Sequence, residues 1–250
     1  MMKVSIITVT FNADKFLEQC IQSVLSQTYA NIEYIVVDGK STDNTCAIIK
    51  KYESKISRWI SEPDKGMFDA LNKGMALATG DIIGVLHSDD VFDSPEIIDI
   101  IVKTFQEKGV DTLYGDLEYV YSEDINKLYR RWNGKVYNRN LFKLGWMPAH
   151  PAFYFKRSLL EKYGNYEIHY FSAADYEFMA RYLFKHKLSS YYLPKLIVKM
   201  RRGGLSNRNV FQRLRANRRD YLAMKANGIP FAFFVSFLKP LSKLHQYYKK

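Results

Sequence analysis

The sequence predicts an α/β protein with a mostly parallel central sheet and a mixed second half. In the first 110 residues, short apolar β-branched segments alternate with segments whose apolar residues recur at helical spacing, which indicates parallel strands joined by helices. Beyond residue 110, two apolar segments flank a polar turn and predict an antiparallel hairpin. The chain has 250 residues, of which 47% are hydrophobic and 25% charged, so it can bury a substantial core.

The first strand and the first helix are indicated by residues 4–25. Residues 4–11 form a continuous, largely β-branched run that is typical of a strand buried on both faces. The strand ends at Asn12, and both Asn12 and Asp14 are residue types that cap helices. The apolar residues of the helix that follows are Phe16, Leu17, Cys20, Ile21, Val24 and Leu25.

The same alternation continues to residue 90. A second strand ends in Asp38-Gly39, and a fourth ends in the polar residues 87–90. The predicted strands are residues 32–37, 59–61 and 82–86, and the predicted helices follow residues 41–44 and span residues 67–78. Four strands that alternate with helices imply a parallel sheet.

The second half is predicted to begin with a helix and a hairpin. Ser94-Pro95 has the favoured order of a capping residue followed by a Pro at the first helical position. The hairpin strands are residues 113–121 and 127–132 around the turn 122–126, and further helices are expected at 157–163 and 174–186.

Three of the predicted strands end in polar residues, at 11–12, 38–39 and 87–90. Ligands of open α/β sheets bind at the carboxyl ends of the strands, so we expect a binding crevice there. No G-x-G-x-x-G follows a predicted strand, and a P-loop would need Gly at the position of Tyr34. The paired carboxylates at the third of these ends instead favour phosphate held through Mg²⁺ or Mn²⁺.

Four motifs, in this order along the chain, resemble those of family 2 glycosyltransferases. They are VSIITVTFN at 4–12, VVDGKSTD at 36–43, E-x-D-x-G-x-x-D-A-x-N-x-G at 62–74, and Gly-Asp followed by Ser-Asp-Asp within 80–90. The resemblance covers residues 3 to 205 and is far more specific than an isolated Asp-Asp pair. It implies the GT-A fold, a Rossmann-like nucleotide-diphospho-sugar transferase fold.

The resemblance implies a donor site built mainly by the first half. It places Asp38 on the nucleobase and Asn12 beside the nucleotide. Asp64 and Asp69 would line the donor pocket. The full set of implied donor residues is Thr10, Asn12, Asp38, Gly39, Asp64, Gly66, Asp69, Asn72, Ser88, Asp89, Arg201 and Arg202.

The resemblance also implies a metal cofactor, Mn²⁺ or Mg²⁺. Family members hold the metal on the donor diphosphate with a D-x-D element, and the aligned triplet here is residues 87–89. His87 replaces the first Asp, so Asp89 is the expected direct ligand. Asp90 completes the expected metal site, with His87 as a supporting group.

Asp175 is the residue that the resemblance implies as general base. It lies at the start of a predicted helix, six residues before Arg181, as in the family pattern. Its task would be to accept the proton of an acceptor hydroxyl as that oxygen attacks the anomeric carbon. The Glu that usually precedes this Asp is absent, and His150 and Glu177 are the candidate acceptor contacts.

Each of these sites also has a structural interpretation. Residues 38–39 are a common turn pair, and residues 89–90 and Asp175 are also good helix caps. His150 is as readily a hydrogen-bonded structural histidine, and at least one Arg of residues 201–202 is expected to be a solvated charge. The order of the four motifs favours the functional interpretation.

The excess positive charge lies at the C-terminal end. The formal net charge is +11, and residues 199–250 contribute 13 Lys and Arg against one acid, or +12. The apolar residues 229–238 lie within this segment, a combination suited to an anionic membrane surface. Two alternative roles for this positive charge are binding of nucleic-acid phosphates, for example by Arg208 and Arg213, and a solvated surface helix. No recognised nucleic-acid-binding module accompanies these residues.

The expected organisation is a catalytic domain at 1–205 and a basic amphipathic helical extension at 206–250. Within the domain, residues 1–110 would bind the nucleotide sugar and residues 111–205 the acceptor. No apolar stretch is long enough to span a membrane, and two Cys provide no disulfide framework. We therefore expect a cytoplasmic protein that is peripheral at the inner face of the membrane.

The predicted function is transfer of a sugar, with inversion, from a nucleotide-diphosphate-sugar donor to a hydroxyl of a glycan or lipid-linked glycan. Segments 148–151 and 200–206 resemble bacterial members that build surface polysaccharides, which implies capsule, O-antigen or exopolysaccharide biosynthesis. One alternative is a nucleotidyltransferase, although its Gly-rich N-terminal signature is absent after residues 9–11. The other is a catalytically impaired GT-A-like binding protein.

Overall fold

One mixed sheet runs through the part of the chain that the computed structural model describes, residues 1–203 and 210–241. Its strands are β1 (Val4–Thr10), β2 (Ile32–Asp38), β3 (Arg58–Ser61), β4 (Ile82–Val85), β5 (Val91–Phe92), β6 (Thr112–Tyr121), β7 (Asp124–Trp132), β8 (Phe153–Lys156) and β9 (Ser190–Arg201). The helices are α1 (Leu17–Leu25), α2 (Thr45–Lys51), α3 (Met67–Leu77), α4 (Ile97–Lys108), α5 (Ser158–Tyr163), α6 (Ala174–Met179), α7 (Val210–Ala226) and α8 (Ala232–Leu241). The strand order is β3-β2-β1-β4-β8-β6-β9-β5, and β7 pairs with β6.

The first half has the predicted parallel arrangement. Strands β3, β2, β1 and β4 pair in parallel, and all seven residues of β1 are buried. Helix α3 packs against β1 and β2. Because β1 is buried on both faces, six of its seven residues are β-branched and its apolar residues do not alternate with exposed ones.

The second half is mixed, also as predicted. Strand β8 is antiparallel to β4 and β6, β6 is parallel to β9, and β5 is antiparallel to β9. The predicted hairpin forms between β6 and β7, with a tighter turn at residues 122–123. Strands β5, β8 and β9 were not predicted, since β5 and β8 are short and Pro194 interrupts β9.

Two predicted helix starts differ from the structure. Helix α1 begins at Leu17, and neither Asn12 nor Asp14 caps it, so that prediction was wrong. Asn12 has φ 47° and closes the turn after β1 instead. Helix α4 begins at Ile97, two residues beyond Pro95, and the Ser94 carbonyl accepts the Ile97 N–H.

Helices α7 and α8 pack on each other and on the second half. Ala223 and Met224 of α7 are fully buried and belong to the same apolar core as the sheet, together with Val235 of α8. The described part of the predicted extension is therefore joined to the domain by apolar packing. Arg208, the side chain of Arg213 and the end of the 200–206 motif lie outside the described residues. In those that are described, no helix combines the length and apolar character needed to cross a membrane.

Candidate active site

The carboxyl ends of β1, β2 and β3 lie side by side. Thr10 is in register with Asp38, and Asp38 is in register with Ser61. Asp38 is fully buried, and its carboxylate accepts hydrogen bonds from the Ser61 hydroxyl (2.6 Å), the Ser41 N–H (3.0 Å) and the Cys46 thiol (3.2 Å). Burial alone would raise the pKa of Asp38, but these hydrogen bonds outweigh it and lower that pKa below 3.8. Asp38 is therefore ionised and already well satisfied by its own chain.

Thr10 and Asn12 form the neighbouring corner. The Asn12 side-chain oxygen accepts the Thr42 N–H at 2.9 Å, which ties the turn after β1 to the loop after β2. The Thr10 hydroxyl is buried and has no hydrogen-bond partner among the described residues. It is the kind of buried polar group that calls for an explanation in a native structure.

Gly39, Asp64 and Gly66 lie together at the end of β2. A Cβ on Gly39 would lie 2.4 Å from Oδ2 of Asp64, so only Gly permits this approach. Gly66 has φ 113°, a backbone conformation that side chains with a Cβ rarely adopt. The N–H of Gly66 donates to Oδ1 of Asp64 at 2.7 Å, which fixes the carboxylate opposite Gly39.

Asp69 and Asn72 of α3 have partners within the chain. Asp69 accepts the Lys65 N–H at 3.0 Å and lies 3.9 Å from Nζ of Lys73. Asn72 exchanges two hydrogen bonds with the backbone of Tyr166, at 2.9 and 3.0 Å. The Asn72 side chain therefore joins the first half of the protein to the second.

The loop after β4 contains two carboxylates in different environments. Ser88 and Asp89 are half-buried, whereas Asp90 is fully buried. Oδ1 of Asp90 accepts the Arg201 N–H at 3.2 Å, and Oδ2 has no partner among the described residues. Burial and the charge of Asp89 raise the pKa of Asp90 well above 3.8, against the opposing effect of Arg201. Burial thus disfavours the ionised form of Asp90.

Asp89 is the carboxylate that fits a metal ion. Among the described side chains, residues 1–203 and 215–240, none donates a hydrogen bond to its carboxylate or forms an ion pair with it, and no three His, Cys, Asp or Glu side chains cluster as a metal site. A single partly exposed carboxylate suits Mg²⁺ or Mn²⁺ that takes its other ligands from substrate phosphates and water. Asp90 is fully buried and already accepts the Arg201 N–H, so it fits a supporting position better.

Arg201 is a buried residue that fixes this loop. Its guanidinium donates to the Ser122 carbonyl at 3.0 Å, to the Asp89 carbonyl and to the side-chain oxygen of Gln19. It also lies 4.5 Å from the ring centroid of Phe16. Because these partners already occupy all three guanidinium nitrogens, we assign Arg201 to positioning Asp89 rather than to contacting a diphosphate.

Arg202 differs from its neighbour. Its side chain is exposed, and its guanidinium lies over the rings of Tyr121 (5.0 Å) and Tyr129 (4.8 Å) on the β6–β7 hairpin. Of the two predicted diphosphate contacts, only Arg202 presents its charge at the surface.

Two histidines lie next to each other beside the Asp89 loop. The ring centroids of His87 and His150 are 5.7 Å apart, and Nε2 of His150 is 2.7 Å from the Tyr166 hydroxyl. Burial, with a smaller effect of His87, lowers the pKa of His150 to about 3. Burial also lowers the pKa of His87, although Asp89 and Asp175 oppose it. His150 is thus a neutral, hydrogen-bonded residue, as its structural interpretation expects.

Asp175 lies at the start of α6 and is half-buried. Its Oδ1 accepts the N–H of Tyr176 at 2.6 Å. Its charge raises the pKa of His87 and adds to the effect of burial in raising that of Tyr166. The predicted base is therefore an electrostatic neighbour of the predicted metal loop, although some 85 residues separate them in sequence.

Glu177 has a different environment. It is buried and forms a bidentate ion pair with Arg181, with both N···O distances at 3.0 Å. Asn227 of α7 donates to the same carboxylate at 3.3 Å. Since both oxygens are engaged inside the protein, we do not retain Glu177 as an acceptor contact.

Two residues of the site were not predicted, Gln19 and Tyr166. Gln19 lies on α1 and binds Arg201, and Tyr166 binds both His150 and Asn72. Neither stands in a recognisable motif, so only the three-dimensional contacts identify them.

Comparison with known proteins places this arrangement in a family. The family model described as "Glycosyl transferase family 2" matches residues 5–164. An uncharacterized glycosyltransferase of Mycobacterium tuberculosis is 36% identical over 182 residues, which are 71% of this chain and 68% of that protein. A PGL/p-HBAD biosynthesis glycosyltransferase of Mycobacterium bovis is 30% identical over 209 residues, 81% of this chain and 78% of that protein.

Solved structures show the same fold. S. aureus TarS (residues 1–349) in complex with UDP-GlcNAc has a TM-score of 0.67 and 20% identity over 98% of this chain and 78% of that chain. The mannosyltransferase PcManGT from Pyrobaculum calidifontis, in complex with GDP-Man and Mn²⁺, has a TM-score of 0.63 and 17% identity over 98% and 75%. A longer TarS chain is matched over 44% of its length. With its GT-A fold, the chain is a glycosyltransferase and belongs to glycosyl transferase family 2.

Proposed function

We propose that this enzyme moves a sugar from a nucleotide-diphosphate-sugar donor to a hydroxyl of a glycan or lipid-linked glycan, with inversion at the anomeric carbon. The observation that carries the proposal is the proximity of Asp89 and Asp175, whose charges both act on His87. Asp89, whose carboxylate has no partner among the described side chains, thus lies near the half-buried Asp175 at the start of α6. The UDP-GlcNAc and GDP-Man complexes of proteins with this fold support a donor of this class.

The donor would lie across the ends of β1, β2 and β4. The buried Thr10 hydroxyl, which has no partner among the described residues, supports a polar ligand at the end of β1. Asp38 and Asn12 shape the base end by fixing the loop that follows β2. Asp64 and Gly66 would flank the sugar or ribose, with Arg202 as the exposed cation for the diphosphate.

Asp175 would act as the general base. Its carboxylate would accept the proton of the acceptor hydroxyl as that oxygen forms the new bond to the anomeric carbon and the bond to the nucleotide diphosphate breaks. One displacement of this kind inverts the anomeric centre. The Tyr176 N–H that donates to Oδ1 orients the carboxylate.

Asp89 would hold a divalent cation, with Asp90 behind it and Arg201 fixing the loop. When bound, Mn²⁺ or Mg²⁺ supplies positive charge that offsets the charge of the leaving diphosphate. The Mn²⁺ of the PcManGT complex supports this choice of metal. Tight metal binding would depend on the nucleotide, because His87 replaces the carboxylate that would otherwise share the ion.

The acceptor would enter from the second half, near Asp175 and His150. A relative named for PGL/p-HBAD biosynthesis supports a role in making cell-surface glycoconjugates, and we retain surface polysaccharide as the product class. The corresponding location is the inner face of the membrane, where the enzyme would be peripheral and meet a lipid-linked acceptor.

Thermal unfolding with nucleotides tests the donor site. UDP, GDP, dTDP and CMP are each compared in the presence of Mn²⁺ and of EDTA. A ligand at 100 times its Kd adds about 2.7 kcal/mol, which raises Tm by about 5 to 10 °C in a protein of this size. We expect one nucleoside diphosphate to give such a shift with Mn²⁺ and a much smaller shift with EDTA.

The Asp89→Asn variant tests the metal ligand. It is expected to reduce the shift with Mn²⁺ to the level seen with EDTA, because it removes the carboxylate proposed to hold the metal. The exposed acid Glu107, changed to Gln, is the control and should keep the full shift. A full metal-dependent shift in Asp89→Asn would remove Asp89 from the site.

A further inference from the structure

Helix α8 is apolar on its outward face. Its buried positions are Ala232, Val235, Ser236 and Lys239, whereas Phe233, Phe234 and Phe237 are 57%, 66% and 51% exposed. A helix packed on a protein core normally exposes polar residues instead. The outward face of α8 is therefore apolar for a reason other than folding.

The inward face is held by specific polar contacts. The Ser236 hydroxyl is 3.2 Å from the side-chain oxygen of Asn217, and Nζ of Lys239 donates to Asp220 at 2.5 Å. The same Lys239 ammonium lies 4.2 Å from the centroid of the Tyr176 ring. These contacts, together with the buried Ala232 and Val235, fix α8 on α7 and α6.

The exposed side chains form one surface, which we call the apolar patch. Its members are Phe231, Phe233, Phe234, Phe237 and Leu238. The ring of Phe233 lies 5.6 Å from that of Phe234 and 5.2 Å from that of Phe237, so these three side chains form a continuous surface. Contiguous exposed apolar surfaces mark binding sites for proteins or membranes.

Positive charge lies on α7, the helix on which α8 packs. Arg215, Arg218 and Lys225 are exposed and recur at i, i+3 and i+10, which places them on one side of α7. We call these three residues the basic stripe. Tyr221, which follows Arg218 and precedes Lys225 in sequence, contacts Phe233 of the apolar patch, with ring centroids 6.2 Å apart.

We propose that the apolar patch and the basic stripe together bind the surface of an anionic lipid bilayer. Phe and Leu side chains would enter the headgroup region with α8 in the plane of the interface, and the stripe would bind lipid phosphates. Charge complementarity selects this occupant, because a second copy of the chain would present the same positive charge. The inference deepens the proposed function and rests on it for the lipid-linked acceptor.

The patch is also connected to the candidate active site. The Lys239 ammonium lies over the ring of Tyr176, which directly follows Asp175. The Lys239 backbone is also close to Gly145, because a Cβ on Gly145 would lie 2.7 Å from the Lys239 Cα. Binding of α8 to a bilayer would therefore hold α6, whose first turn contains Asp175, close to the lipid surface. This arrangement suits an acceptor whose lipid stays in the membrane.

Vesicle co-sedimentation tests the proposal. The full chain is mixed with vesicles of phosphatidylcholine alone or of phosphatidylcholine with phosphatidylglycerol. The triple variant Phe233→Ser, Phe234→Ser, Phe237→Ser is expected to lower the partition coefficient between water and vesicles about tenfold or more. The reason is that three Phe side chains would no longer be buried in the bilayer interface. The double variant Leu128→Ser, Val136→Ser changes exposed apolar residues elsewhere and should bind like the wild type.

A second variant separates charge from apolar insertion. Arg215→Glu, Arg218→Glu, Lys225→Glu is expected to lower binding to the anionic vesicles about tenfold or more and to leave the weaker binding to neutral vesicles unchanged. Equal binding of this variant and the wild type to anionic vesicles would show that the stripe has no part, and would overturn the proposal.

Other outcomes identify a different occupant. If the wild type does not bind anionic vesicles, or if the Ser variant binds as well as the wild type, the proposal is wrong. If, instead, the wild type sediments as a dimer that the Ser variant converts to a monomer, the patch binds a second copy. The nucleotide-dependent Tm shift should be the same in all variants, so loss of that shift in the wild type would count against the donor site and not against the patch.

Discussion

The carboxylates at the strand ends differ in environment, and this difference assigns their roles. Asp38 is buried, yet hydrogen bonds keep it ionised, which suits a fixed acceptor inside the loop after β2. Asp90 is also buried, and its hydrogen bond from Arg201 does not offset the effect of burial, which raises its pKa. Asp89 is half-buried and has no hydrogen bond or ion pair at its carboxylate among the described side chains, so it is the carboxylate that we propose for a cation.

The most direct test of a single residue is Asp175→Asn. The amide cannot accept the acceptor proton, so we expect the rate of transfer to fall by a factor of about 10² to 10⁴. Nucleotide affinity should be unchanged, because Asp175 would contact the acceptor and not the base. The rate is followed as nucleotide diphosphate released from the donor, and affinity as the Tm shift.

A nearby acid serves as the control for this variant. Glu167 is exposed and also precedes α6, so Glu167→Gln should keep both the rate and the Tm shift. Turnover of Asp175→Asn at the wild-type rate would remove Asp175 from the mechanism.

Neighbouring strands are connected by side-chain hydrogen bonds as well as by the backbone hydrogen bonds of the sheet. We call a side chain that makes such a connection an anchor. Glu33 of β2 is buried and accepts hydrogen bonds from Ser5 of β1 (2.6 Å), from the N–H and hydroxyl of Thr79 before β4 (2.7 and 2.8 Å), and from Lys3 (3.2 Å). Burial alone would raise the pKa of Glu33, but these bonds lower it from 4.5 to about 2. The lowered pKa means that folding favours the ionised carboxylate.

The pH dependence of the Glu33→Gln variant checks this anchor. Because the folded-state pKa is depressed, the stabilisation is complete above about pH 4.5 and is lost as pH falls toward 2. At pH 7 we expect the variant to be less stable by on the order of 3 kcal/mol in urea unfolding, with the difference vanishing near pH 2. The exposed Glu161→Gln is the control, and a difference that does not change with pH would contradict the anchor.

The end of β9 is expected to hold the Asp89 loop through Arg201. In Arg201→Met, the buried carbonyls of Asp89 and Ser122 lose a charged donor, so we expect a loss of about 2 to 4 kcal/mol in the free energy of unfolding. The metal-dependent part of the nucleotide Tm shift should fall as well.

Arg202→Met is the matched control for this loss of stability, since its side chain is exposed. Its free energy of unfolding should stay within about 0.5 kcal/mol of the wild type. Equal stability of the two variants would show that Arg201 does not fix the loop. A weaker nucleotide affinity in Arg202→Met alone would identify Arg202 as the diphosphate contact.

The elements that could be predicted from the sequence are those with a strong local pattern. The β-branched run of β1 and the helical apolar spacing of α1 and α3 gave the parallel half correctly. Strand β8 has four residues and β9 contains Pro194, so their pairing depends on distant partners that no local pattern shows.

The residues of the candidate site likewise divide into those that local motifs predict and those that only long-range contacts explain. Motifs identified Asp89 and Asp175, but their residue types do not reveal which side chains the protein uses itself. Glu177 and Arg201 are residue types that often bind ligands, but here both make long-range contacts within the protein. Those contacts arise from packing between distant segments, which a single sequence does not encode locally.

At the scale of the whole molecule, the domain boundary predicted at residue 205 can be tested by truncation. Helices α7 and α8 cover α6, bury Ala223 and Met224 completely, and supply the Asn227 amide to Glu177. A chain ending at residue 205 would expose the apolar surface that α7 and α8 cover. It would also remove the Asn227 amide that donates to the Glu177 carboxylate. We therefore expect it to unfold at a lower urea concentration, to bind a hydrophobic dye and to lose the nucleotide-dependent Tm shift.

A chain ending at residue 241 is the matched control, since it keeps both helices. It should retain the urea midpoint of the full chain and its nucleotide-dependent Tm shift. If the chain ending at 205 also retained both, residues 206–250 would be an independent extension, as the sequence predicts, and the apolar packing of α7 would be unnecessary for the catalytic domain. Loss of stability in the shorter chain alone would mean that α7, α8 and the catalytic domain fold as one unit, so that the proposed contact of α8 with lipid would act directly on the body of the enzyme.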